Sequence, residues 1–158
     1  MKYVEHLYFR ISGEDLCFSD INTVLDFAKP ITHKKGEIIE KKYQSKNGDN
    51  IIKEDSWLTD YKIPKNQSFE DAVVEFLKPY LPHKNFISEM SKKHAITLWV
   101  SAYPEVYQLN INLSKKIISI LHELNIEMDI TYLYLVDIYE GRDNPTGEGQ
   151  RGTGDSMS

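Results

Sequence analysis

Five histidines, His6, His33, His83, His94 and His122, and a single cysteine, Cys17, are the side chains of this 158-residue chain best suited to hold a metal or act as a nucleophile. A structural or catalytic metal site draws its ligands from short, fixed spacings, and none of these histidines stands in a His-x-His or His-Glu-x-x-His arrangement. No metal site is expected. Cys17 falls near the start of a helical stretch, where a small buried hydrophobe is the ordinary reading, and a Cys–His pair would have to be assembled from distant parts of the chain. The Gly-x-Ser-x-Gly elbow, the phosphate-cradling glycine loop and the dinucleotide fingerprint are absent, so nothing assigns a cofactor. The adjacent carboxylates Glu14-Asp15 and Glu54-Asp55 fall in turns, where acids serve as solvated or capping groups more often than as an acid–base pair. On this basis no catalytic residue is named and the chain is read as not an enzyme. The alternative is a small enzyme built from dispersed polar groups such as His6, Arg10, Glu14 and His94.

Basic side chains offer a second chemistry. Lysines 34, 35, 41, 42 and 46 surround Tyr43 and weakly match the basic-plus-aromatic pattern of nucleic-acid surfaces, but Glu37 and Glu40 dilute them. Charges on an exposed hairpin also discourage edge-to-edge strand pairing, and this structural role is preferred over nucleic-acid binding.

The elements that must position these residues follow from periodicity. Tyr3 to Ser12 alternates as a half-buried strand, and Gly13-Glu14-Asp15 is a turn. Ser19 is placed to cap a helix carrying Ile21, Val24, Leu25 and Ala28 up to Lys29-Pro30. Gly36 to Tyr43 and Ile51 to Trp57 read as a hairpin across Asn47-Gly48. Ser68 and Asp71 open a helix with the stripe Ala72, Val73, Phe76, Leu77 and Tyr80, which Pro79 bends and Pro82 ends; a short helix spans Asn85 to Lys93. His94 to Ser101 and Glu105 to Leu113 read as a second hairpin, Ser114 caps a helix ending at Asn125, and a last strand runs from Ile126 to about Tyr139. The fold class expected is α+β, a mainly antiparallel sheet with helices packed on one face, and no internal repeat is visible.

The last strand carries the candidate binding site. One parity, Ile126, Met128, Ile130, Tyr132, Tyr134, Val136 and Ile138, is assigned to the core. The other mixes Glu127, Asp129 and Asp137 with Leu133 and Leu135, an acid-rimmed apolar patch of the kind that a protein interface presents, although a strand covered on both faces gives the same pattern. Charge points the same way. Residues 1–120 carry 17 basic and 16 acidic side chains, whereas residues 121–158 carry 2 and 8, so nearly all of the net charge of −5 lies in the last quarter. Such a field attracts a basic partner and repels phosphate backbones. The partner-binding residues expected are Glu123, Glu127, Asp129, Leu133, Leu135 and Asp137. Trp57 and Trp99 are either core or interface anchors.

Composition sets the frame. A hydrophobic share of 41% with 27% charged residues is that of an ordinary globular domain. A lone cysteine suits a reducing compartment, and Met1-Lys2-Tyr3-Val4-Glu5-His6 lacks the apolar stretch of a signal peptide, so a cytoplasmic location without membrane insertion is expected. Residues 1–140 are read as one domain. Residues 141–158, rich in Gly, Ser and Thr, are read as a flexible tail.

Ile11-Ser12-Gly13-Glu14-Asp15, the helix ending at Lys29-Pro30, the pair Lys35-Gly36 and the isolated Trp57 resemble the pattern of a bacterial family known as domain of unknown function 4279. The resemblance implies its fold, with Gly13 serving the turn and Trp57 the core, and carries no catalytic residue across. Small acidic cytoplasmic proteins of this size are often immunity proteins that neutralise a toxin domain, and by that analogy a basic toxin is the partner expected.

Overall fold

The computed structural model describes residues 4–39, 51–103 and 110–132. Its elements in chain order are strand β1 (Val4–Gly13), helix α1 (Phe18–Val24), strands β2 (Ile31–His33) and β3 (Asp55–Lys62), and helix α2 (Phe69–Leu77). A 3-10 segment (Lys78–His83), helix α3 (Lys84–Met90), strand β4 (Ala95–Ala102), helix α4 (Lys115–Leu124) and strand β5 (Glu127–Tyr132) complete them. The strands form one sheet in the order β2-β3-β1-β4-β5. β1 lies at its centre, antiparallel to β3 and β4; β2 is antiparallel to β3, and β5 runs parallel to β4. The expected α+β class is the one observed.

Alternation along β1 decides which face is which. Leu7, Phe9 and Ile11 are fully buried, while His6, Tyr8 and Arg10 are only half-buried. Phe9 stands opposite Thr59 on β3 and Leu98 on β4, and it stacks on Tyr80 of the 3-10 segment at 4.0 Å between ring centroids. Ile21 and Leu25 from the first helical region, Val73 and Leu77 of α2, Ile87 of α3 and Ile117 and Leu124 of α4 join the same core. The helices therefore cover one face of the sheet, with Trp57 buried beneath α1 and its indole N–H donating to Asn22 Oδ1 at 2.8 Å.

The helix ends obey local chemistry. Ser68 and Ser114 each accept a backbone N–H three residues on, from Asp71 and Ile117, as N-caps do. Asn125 closes α4 in the left-handed conformation, φ 57, which Asn tolerates better than most residues. At the other end of the sheet the buried Asp55 carboxylate accepts the backbone N–H groups of Leu16 (3.0 Å) and Lys35 (2.8 Å), tying two loops to the start of β3.

Four local expectations are corrected. Cys17, expected in the interior, is exposed and is itself the N-cap residue of α1, two residues ahead of Ser19, because the helix starts at Phe18. The base of the first hairpin is in place, with Ile38 bridging Ile51 and Gly36 and Glu37 exchanging backbone bonds with Ile52, and its residues 40–50 lie outside the described residues. The strand that enters the sheet is β3, four residues further on, and it pairs with β2 instead. Among the described residues β4 is flanked by β1 and β5, and residues 110–113 of the second hairpin are not in a strand; its residues 104–109 lie outside the described residues.

Candidate functional site: the open face of the sheet

The face of the sheet turned away from the helices is the surface on which chemistry-bearing side chains meet. Register places them in rows. Asp60, Tyr8, Trp99 and Asp129 stand side by side on β3, β1, β4 and β5, and Ile31, Leu58, Arg10, Thr97 and Glu127 form the neighbouring row across all five strands. Since adjacent strands are about 4.8 Å apart, the two aspartates of the first row bracket its aromatic pair over roughly 14 Å.

The aromatic pair is packed. The Tyr8 and Trp99 rings lie 5.0 Å apart at 34°, His6 stacks on Tyr8 at 5.9 Å, and the Trp99 indole N–H donates to Thr131 Oγ1 of β5 at 2.6 Å. Burial, then the nearby Tyr103 and Asp60, raises the Tyr8 hydroxyl above its ordinary pKa of 10.0, so it stays protonated at neutral pH. Arg10 faces Glu54 at 3.5 Å, a half-exposed pair, and Lys62 on β3 lies three strands away from β5. At the β5 end the charge is acidic: Glu127 and Asp129 are both exposed.

β5 closes the sheet at one end, and among the described residues nothing pairs with its outer side. Ile126 is buried and Met128 half-buried, as the core assignment of that parity requires, but Ile130 is 43% and Tyr132 41% exposed. The core assignment of Ile130 and Tyr132 fails there, since strand parity gives the face of a side chain and not whether anything covers it. An edge strand with exposed apolar side chains on one face and carboxylates on the other is a surface that pairing partners exploit.

Of the six binding residues expected, Glu127 and Asp129 come together on the open face. Glu123 lies on α4, where its carboxylate meets Lys84 Nζ at 3.4 Å. Leu133, Leu135 and Asp137 lie outside the described residues, as does the proposed tail 141–158. The residues that sequence reading missed are Tyr8, Ile130 and Tyr132. Tyr8 shares its parity with His6 and Arg10, which marks it as a residue of the non-core face; for Ile130 and Tyr132 the alternation itself misleads.

The other constellations stay apart. His6 and Arg10 are four residues apart on one strand, about 13 Å at the rise of a strand. Glu14 is bound to Lys35 at 3.0 Å, and the His94 imidazole packs against Gly13, where an added Cβ would come within 2.8 Å of its Nδ1. Lys34 sits over the Phe18 ring, 4.8 Å from its centroid, with Asp55 at 3.6 Å. Lysines 41, 42 and 46 lie outside the described residues. Among the described residues no group of three or more His, Cys, Asp or Glu side chains is arranged to hold a metal ion, and no helix is long and apolar enough to cross a membrane.

The chain belongs to the family described as domain of unknown function (DUF4279), which it matches over residues 2–135. That span takes in every element of the sheet and of its helical cover. No curated protein and no solved structure matches it.

Proposed function

We propose that this protein is a protein-binding module whose open sheet face and β5 edge receive a basic protein partner. The observation that carries the reading is the row Asp60–Tyr8–Trp99–Asp129, an aromatic pair set between two exposed carboxylates, with exposed Ile130 on the other face of the same β5 edge. Interfaces concentrate their energy in Trp, Tyr and Arg at a packed centre, with a charged rim that steers the encounter. Trp99 and Tyr8 supply the centre and Asp129 and Glu127 the rim.

Neutralisation of a basic toxin domain, in the manner of an immunity protein, is the form of this reading that the acidic last quarter supports; a cytoplasmic location accompanies it. The test is a paired capture from the cells that make the protein, using wild type and the double variant Trp99→Ala/Asp129→Lys under the same salt. A basic protein held by the wild type, released by added salt and lost by the variant supports the reading. Equal capture by both chains removes this face from consideration.

A further inference from the structure

On the helical side, a cleft of about 410 Å³ opens between β3, α2, the 3-10 segment and the residues that follow α1. Four aromatic rings line it. Tyr80 forms the floor, 2% exposed; the Phe27 ring stands edge-on to it at 5.0 Å, Phe76 edge-on at 6.0 Å, and Tyr61 lies 5.5 Å from Phe76. Phe27 is 42% exposed, an unusual state for a phenylalanine that already touches the core. The cleft accounts for it, since its ring forms one wall.

One wall is charged and held in place. Glu75 Oε2 accepts from the Gln67 amide and from the Tyr61 hydroxyl at 2.9 Å, whereas Oε1 accepts no hydrogen bond among the described residues. The Tyr61 hydroxyl is also 2.7 Å from Gln67 Oε1, but its single proton favours the carboxylate, the stronger acceptor. These donors, Tyr61 first and then Gln67, hold the Glu75 carboxyl below its ordinary pKa of 4.5, so it is ionised at neutral pH. Asp60 borders the cleft, but by alternation its side chain belongs to the open face with Tyr8. Lys29 is the cation of the lining, on the exposed rim.

Aromatic faces attract a cation through their quadrupole, and a fixed carboxylate with an unused oxygen adds a counter-charge. We propose that this cleft binds the head group of a small organic ammonium ion, which rests against the Phe27 and Tyr61 rings above the buried Phe76 and Tyr80, with Glu75 as its counter-ion. The site lies on the opposite side of the sheet from the Tyr8–Trp99 surface and stands independently of the protein-binding reading.

The experiment compares choline with 3,3-dimethylbutan-1-ol, its neutral isostere, by amide and aromatic NMR titration of the whole chain. Choline is expected to shift Phe27, Tyr61, Phe76 and Tyr80 saturably and the neutral alcohol to bind more weakly. Glu75→Gln is expected to weaken choline by about threefold to fivefold, within the range of an exposed charge pair, and Lys29→Met to tighten it by removing repulsion. Phe27→Ala, at a half-exposed ring, is expected to weaken it with the rest of the spectrum unchanged. Equal binding of choline and the alcohol, choline binding indifferent to both Glu75→Gln and Lys29→Met, or no shift in these rings up to the solubility of the probes would each overturn the proposal.

Discussion

Three donors converge on Asp55: the backbone N–H groups of Leu16 and Lys35, and the Lys34 ammonium at 3.6 Å. The Lys35 N–H chiefly, with Leu16 and Lys34 behind it, holds the Asp55 carboxyl below its ordinary pKa of 3.8. A carboxyl depressed on folding adds stability that is complete above its unfolded pKa and fades as the pH falls through its folded value. Thermal melts across pH should therefore show wild type above Asp55→Asn by a constant margin from about pH 5 upward, closing in stronger acid. A margin that persists unchanged at low pH would remove the charge from the explanation. At the other end of the core, Tyr80 shares a hydrogen bond with Thr59, and both are buried. Burial pushes the Tyr80 hydroxyl up to about 12, so it remains a neutral partner over the working pH range. Tyr80→Phe leaves the Thr59 hydroxyl buried without its partner and should cost about 1–3 kcal/mol in denaturant unfolding. Thr59→Val added to it should recover part of that loss, because removing both polar groups is cheaper than stranding one.

At the scale of elements, most local signals read true, Ser19 excepted, and most strand pairings did not. Ser68, Ser114 and Asn125 mark helix ends by chemistry confined to a few residues, and all three stand where sequence places them. Ser114→Ala should destabilise the protein by about 1 kcal/mol, a cap's usual worth. Alternation likewise finds β1, β4 and the start of β5, but period two says only that a strand exists. It does not say which strand lies beside it, and so β4 acquires β5 through the α4 crossover in place of a hairpin neighbour. β2 is three residues long, too short for any period to show. The candidate site was half legible for the same reason: Glu127 and Asp129 declare themselves by charge, whereas their alignment with Trp99 and Tyr8 is a fact of register. Ile130 shows the limit of parity, being placed with the core and found exposed. Replacing Ile130 with Arg should change unfolding free energy by no more than about 0.5 kcal/mol, as exposed substitutions do. Leu98→Ala, on the neighbouring strand and fully buried, should cost about 2–5 kcal/mol. Similar losses for the two would place Ile130 in the core after all.

The whole molecule divides its labour between two faces. Helices seal one side of the sheet into a core that runs from Ile21 to Leu124, and the other side is left to half-buried aromatics and exposed acids. Electrostatic steering acts chiefly on the rate of encounter and weakens as salt shortens the reach of each charge. Removing Asp129 and Glu127 should therefore slow association, whereas removing the Trp99 ring should hasten dissociation. The direct measurement is the association rate of the purified partner with wild type and with Glu127→Lys/Asp129→Lys as a function of ionic strength. The expected result is a rate for wild type that falls steeply with salt and a rate for the double variant that is about tenfold lower at low salt and nearly flat. Coincident curves for the two proteins would contradict binding at this face.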